Sequence, residues 1–490
     1  MADLPPDSAL QRPNDVQPSL LEPTVSPMVS DAANTNATED RATARSTTKK
    51  GSTIRSRSSS SSRRRASRGD DEEFDAGADL ERRVGRVEFA EGALVRLRVP
   101  VRVGGDAGRN VITDIDVLAL DFDLRLRVSR SILECKSTRG ISGEADRLLW
   151  LSGLRDLVGA DRGALVRQTV SARGRAIAAR LGLQVLDMSK LEAREAAHAW
   201  LPDRFGHLSG HGCTAAETRT NTQLKALGML PSELVGFIRH EALLAAPHRI
   251  MAALNGLGES LRGAGPIPEP TGSVLAGHSL IAVLVAAAID AQALDVLPMT
   301  QLERRLELTL TVGGPEDESL LGLFGSADEL VRHMIERVHQ GYQDAGVARH
   351  DVQLPSLRDV IVQPPAWIPR YLDLLEEMRA NPTVARDLPQ TAELSCFDAF
   401  MGDSAYQSPA FDHLFTAEHR VLLRVATRTL KGIIGGDLAD RLGNGFAQVN
   451  FDRSNPTLPD RRAAPDIKTV APTIAMTTPP AEPTGQDNGT

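Results

Sequence analysis

The sequence predicts an α/β domain followed by a mostly α-helical domain, set between two low-complexity termini. Three observations predict it. Residues 1–78 and 450–490 are rich in Pro, Ser, Thr and charge and poor in large apolar residues, too few to offset the entropy of ordering. Residues 79–200 alternate between period-two and helical-period apolar patterns. After Trp200 the strand signals fade. The 490 residues suit about two to four domains of roughly 100–200 residues each. With 41% hydrophobic but only 4% aromatic residues, the cores must be built mainly from Leu, Val, Ile and Ala.

Within residues 1–78 a Ser/Arg tract (52–69) is followed at once by the acidic run DDEEFD (70–75). A basic arm touching phosphates is one reading. A solvated linker, partly neutralised by its acidic neighbour, is the favoured one.

Asp79 to Glu91 reads as a helix on Leu80, Val84, Val87 and Phe89, ended by Gly92. Leu94 to Val103 alternates Val95, Leu97, Val99, Val101 and Val103 with Arg96, Arg98 and Arg102, the pattern of a half-buried strand. Pro100 argues for an edge or a bulge. A turn over residues 104–110 leads to a second strand, Val111 to Leu120, and a third, Arg130 to Lys136. A helix over Gly143 to Val158, a short buried strand over Gly163 to Arg167, a helix over Ala172 to Leu181 and a strand over Leu183 to Asp187 complete the order αβββαβαβ. That is a mixed central sheet flanked by helices.

Residues 201–449 read as helices. Pro231-Ser232-Glu233 opens one. Ser326 with Glu329 is a capping box before the apolar run that starts at Leu330. Residues 272–294 and 415–433 read as buried core helices. The apolar run Leu280 to Ile289 falls short of the about 20 residues a bilayer needs, and the N-terminus lacks a signal-peptide pattern. The expectation is a soluble, cytoplasmic protein with no membrane partner. Three cysteines (Cys135, Cys213, Cys396) exclude a disulfide scaffold and a multi-cysteine zinc module.

The net charge of −8 excludes a basic nucleic-acid coat, but the charge is uneven. Residues 41–68 hold ten Lys/Arg and no acid; residues 79–200 are net +4 and residues 201–490 net −11. The α/β domain is therefore the natural side for nucleic acid.

The chemistry concentrates in residues 114–136. Side chains alternate along a strand, so Asp114 and Asp116 share one face, and Glu134 and Lys136 share one face opposite to Leu133 and Cys135. If the two strands pair, an Asp, a Glu and a Lys converge. Two close carboxylates repel unless a cation joins them, and oxygen ligands suit Mg²⁺. A bound metal lowers the pKa of its water and stabilises phosphoryl charge. Lys136 would orient that water, and the Cys135 carbonyl would supply a further oxygen. The plain alternative is a structural salt bridge to Lys136. Elsewhere, His207, His211 and Cys213 have zinc-compatible spacing in a Gly-rich stretch without a fourth ligand. His240-Glu241 lacks a metalloprotease partner histidine. Asp412, His413 and His419 read as solvated surface.

Asp116, seventeen residues, then Glu134-Cys135-Lys136 resembles the PD-(D/E)xK, or restriction-endonuclease-like, nuclease superfamily. Residues 148–166 resemble the helix–strand that follows the motif in CRISPR-associated ancillary nucleases, and residues 172–191 the closing helix–strand of Mrr-like and archaeal junction-resolvase-like domains. The resemblance covers about residues 79–195. It implies hydrolysis of a phosphodiester with Mg²⁺, or Mn²⁺ in its place. Asp116, Glu134 and Lys136 would be catalytic and Glu88, Asp116 and Glu134 the metal ligands. Asp114 is a weaker candidate, and Arg147 or Arg155 would contact phosphate, a solvated helix face being the favoured alternative for both. The implied partner is nucleic acid, DNA ahead of RNA, cut in a defence or DNA-processing role by a homodimer. The helical domain would serve substrate choice, a protein partner or control. A degenerate nuclease fold that binds without cutting is the second reading. No Pro precedes Asp116; Ile115 stands there.

Overall fold

In a computed structural model the described residues are 76–102, 111–137, 143–198, 200–312, 318–347 and 364–453. The expectations for the basic arm, the 104–110 turn and the tail from residue 454 fall outside them.

Five strands form one sheet in sequence order: β1 (Leu94–Arg102), β2 (Val111–Phe122), β3 (Val128–Lys136), β4 (Arg162–Arg167) and β5 (Gln184–Asp187). β1–β2 and β2–β3 pair antiparallel, β3–β4 and β4–β5 parallel. A parallel step needs a crossover. The helices α2 (Glu144–Leu157) and α3 (Ala172–Arg180) supply the two crossovers. β1 is an edge strand that carries Pro100, and its register shifts between Val101 and Arg102.

The leading helix, α1 (Ala76–Ala90), packs on β1, β2 and β3 through Leu80, Val84 and Val87. It begins at Ala76, three residues earlier than its apolar pattern, because Ala76, Gly77 and Ala78 carry no hydrophobic signal. α4 (Met188–Ala196) closes the α/β layer, its first turn capped by Asp187, which accepts from the Lys190 backbone N–H.

The helical region comprises α5 (His211–Ala226), α6 (Ser232–Gly236), α7 (Pro247–Gly263), α8 (Thr271–Ala291), α9 (Met299–Val312), α10 (Glu318–Asp344), α11 (Ile368–Ala380), α12 (Pro382–Leu394), α13 (Ala417–Ile434) and α14 (Gly436–Gln448). Single π-helical turns extend α6 over Phe237–Glu241 and α12 over Ser395–Ala399. The two expected core helices are α8 and α13. α8 is apolar on all sides and packs against α5, α7, α11, α12, α13 and α14. It is long and apolar enough to cross a membrane, and 89% of its apolar window is buried inside the protein. Ser326 does not cap a helix: α10 runs straight through it, and its hydroxyl donates back to the Gly322 carbonyl at 2.9 Å.

The apolar core runs without interruption from the sheet into the helices. Scarce aromatics gather at that seam: the rings of Phe89, Phe205 and Phe411 stand edge-to-face at 4.9–5.8 Å. Gln390 on α12 donates its amide to the carbonyls of Phe89 (2.6 Å) and Ala93 (2.9 Å). Phe89 lies in the last turn of α1 and Ala93 in the link to β1, so a residue of the helical region holds the junction between them.

Candidate active site

β2 and β3 pair as far as Val117–Leu133, and continuing that register by one residue sets Asp116 opposite Glu134. Opposed residues of an antiparallel pair point to the same face. The Asp116 carboxylate reaches across and accepts from the Cys135 backbone N–H at 2.8 Å. Lys136 Nζ lies 2.6 Å from Glu134 Oε1 and 3.7 Å from Asp116 Oδ2. The three residues of the motif thus meet at the open end of the β2–β3 ladder.

Glu134 is almost wholly buried, with its side chain 4% exposed. Burial pushes its carboxyl above the usual range, and the Asp116 charge pushes the same way. Lys136 and Arg147 oppose both. A cation between the carboxylates relieves the repulsion, so the donor set fits a divalent ion with oxygen ligands. Burial first, then the charges of Asp116, Glu81 and Glu134, hold the Cys135 thiol well above its ordinary pKa. It is a core thiol rather than a nucleophile.

Arg147 joins the site. Its Nη1 stands 3.4 Å from Glu134 Oε1, and its guanidinium lies 5.5 Å from the centre of the Trp150 ring. Glu144, one turn earlier on α2, is buried and accepts from both the backbone N–H and the hydroxyl of Ser171, the N-cap of α3. That contact anchors the start of α2 and with it Arg147. Arg155 does not join. It sits about 12 Å further along α2 and donates Nη1 to the carbonyls of Leu181 (3.1 Å) and Gly182 (3.3 Å), closing the end of α3. Asp114 is exposed opposite Pro100 on the edge strand, outside the Asp116–Glu134–Lys136 contacts.

Glu88 is not brought to the motif. It is buried, pairs with Arg194 of α4 at 2.8 Å, and lines a cavity with Ser131, Leu133 and Arg162. The acid of α1 whose charge reaches β3 nearer the motif is Glu81, which acts on the Cys135 thiol, on the face opposite to Glu134 and Lys136. Glu88 lies two turns, about 10 Å, beyond it along α1. Glu91, beside Glu88, pairs with the same Arg194.

Sequence reasoning passed over Glu81, which is buried and accepts from Arg98 Nε at 2.8 Å. Arg98 sits in β1 between the pairs Leu97–Val117 and Val99–Ile115, level with Asp116, and has φ +53°. An arginine in the left-handed region within a strand is strained, and such strain gathers at functional sites. An acid on an apolar helix stripe was the available signal. Arg167, buried and paired in register with Lys136, adds a second cation beside the motif.

No family model, no curated protein and no solved structure matches this chain.

Proposed function

We propose that the chain is a metal-dependent nuclease that hydrolyses phosphodiesters, DNA ahead of RNA, and that its α/β region is restriction-endonuclease-like. The observation that carries this reading is the meeting of Asp116, Glu134 and Lys136 at the open end of one strand pair. Asp116 and Glu134 would hold Mg²⁺, with Glu81 replacing Glu88 as the helical acid. The ion would activate a water and stabilise phosphoryl charge. Lys136 Nζ, already between the two carboxylates, would orient the attacking water. Arg147 and Arg167 would meet the phosphate.

The test is cleavage of labelled single- and double-stranded DNA and RNA with Mg²⁺, Mn²⁺ or EDTA, comparing wild type with Lys136→Ala. Metal-dependent cutting lost in the variant supports the reading; cutting that survives in Lys136→Ala overturns it. One observation favours a second reading, a nuclease fold that binds without cutting. Glu134 is already paired by Lys136 and Arg147, so its charge is balanced without an ion. Mg²⁺-indifferent nucleic-acid binding with no cleavage would select that reading.

A further inference from the structure

Two imidazoles and a carboxylate converge between the loop before α5, α5 itself and α8, away from the Asp116 motif. His278 Nε2 lies 2.8 Å from Glu217 Oε1, and His207 Nε2 lies 3.5 Å from the same oxygen. One ligand atom from each of the three lies within 4.8 Å of the others. The two measured spacings bracket the edge of about 3.3 Å that a tetrahedron of metal–ligand bonds near 2.0 Å would have.

The hydrogen bonds around His207 show what the cluster accepts. Glu393 Oε1 takes the His207 backbone N–H at 3.0 Å and faces its Nδ1 at 2.8 Å. An ionised carboxylate only accepts, so Nδ1 carries a hydrogen, and Nε2 is left to hold either a second proton or a metal ion. That nitrogen faces Glu217 Oε1, an acceptor. Nε2 is buried and makes no hydrogen bond. A positive charge between the two, a proton or a metal ion, satisfies both. A carboxylate behind the distal nitrogen is also the arrangement that orients metal-binding histidines.

The surroundings keep this geometry in place. The remaining oxygens are engaged elsewhere: Glu393 Oε2 pairs with Arg96 at 2.7 Å, and Glu217 Oε2 pairs with Arg239. The Phe397 ring packs on both imidazoles, at 4.1 Å from His207 and 4.7 Å from His278. Gly206 has φ +46°, and a Cβ there would stand 2.7 Å from Glu393 Oε1, so only glycine lets the carboxylate close under the loop. The π-helical turns that carry Arg239 and Phe397 flank the cluster on two sides. Such turns recur at functional sites. Of the expected zinc trio only His207 takes part; His211 is exposed at the start of α5.

We propose that His207, Glu217 and His278 bind one divalent transition ion of the zinc class. Two imidazoles select such an ion over Mg²⁺ or Ca²⁺, which separates this site from the Asp116–Glu134 pair. The ligating Nε2 of His207 is buried, so a water that completes the ion's shell would be enclosed with it. Through Glu393 and Arg96 the ion would be tied to the sheet.

The test uses the full chain, purified without chelator and again after EDTA treatment. Elemental analysis should find one zinc-class ion per chain before chelation. Co²⁺ added to the stripped protein should give the visible absorption of a four-coordinate site, saturating at one equivalent and displaced by Zn²⁺. The band should persist in Asp116→Ala/Glu134→Ala, which lacks the oxygen-ligand pair, and vanish in His278→Gln and in Glu217→Gln. Folded wild-type protein with no bound transition ion and no Co²⁺ band overturns the proposal, whatever the variants do. So does a band that survives in His278→Gln or is lost in Asp116→Ala/Glu134→Ala.

Discussion

Arg96 of the first strand and Glu393 of the helical region form an ion pair at 2.7 Å with side chains only 8% and 4% exposed. The carboxyl of Glu393 is held at about 2, burial being outweighed by Arg96 and His207. Removing one partner of such a pair leaves a buried charge uncompensated and costs about 3–5 kcal/mol. Arg96→Met should therefore lower unfolding stability by that order, read from denaturant midpoints. An exposed arginine such as Arg424 should lose under about 0.5 kcal/mol when changed in the same way.

Glu81 and Glu88 lie on one helix but differ in what they face. Glu81→Gln should lower metal-dependent cleavage about 10–100-fold, the usual loss when a carboxylate that supports a metal site is removed. Glu88→Gln should leave cleavage near wild type while lowering Tm, because Arg194 loses a charged partner. Equal losses of cleavage in the two variants would contradict the placement of α1.

Arg155 serves the end of α3 rather than the motif. Arg155→Ala should cost on the order of 1–2 kcal/mol through two lost hydrogen bonds from a charged donor to carbonyls. Its cleavage rate at a temperature well below Tm should match wild type. Arg147→Ala should do the reverse, impairing cleavage with little effect on Tm, since that side chain is 48% exposed.

Asp290, near the end of α8, accepts from the Tyr371 hydroxyl at 2.8 Å. Burial raises its carboxyl to about 6, against the lowering effects of that hydrogen bond and of Arg305. The folded chain therefore holds this proton more tightly than the unfolded chain does. Its contribution to stability is intact below about pH 4 and falls as pH rises through about 6. Asp290→Asn keeps the acceptor and removes the charge. It should raise stability above pH 6 by up to about 3 kcal/mol and change nothing below pH 4. Thermal unfolding at pH 3.5 and pH 7.5 reads both ends.

The strands of the α/β region were legible because β1 alternates with period two and β4 is a short buried apolar run between helical patterns, and β2 and β3 could be matched through Asp116 and Glu134 before any register was known. Which acid of α1 lies beside β3 at Cys135 was not legible. Glu81 and Glu88 sit two turns apart on similar stripes, and only the crossing of α1 over the sheet selects between them. Arg147 and Arg155 posed the same ambiguity on α2. The seam was equally hidden: Gln390 lies about 300 residues from the carbonyls it satisfies, and no local pattern encodes a contact of that range. At Ser326 two local signals competed, and the helix propagated through the capping box. His207 was visible as a candidate ligand, but its companions Glu217 and His278 stand on helices whose patterns report only packing.

The all-round burial of α8 has a consequence for how the chain is made. Of its neighbours, α5 and α7 precede it, but α11 to α14 follow. About 80 to 160 residues must therefore be synthesised after α8 before its apolar surface can be fully covered. At about 5–20 residues per second that interval is roughly 4–30 s. During it, a segment hydrophobic enough for a bilayer stands half-clad at the ribosome. Nascent chains halted near residue 300 should recruit chaperones or membranes, and chains extended past residue 450 should not.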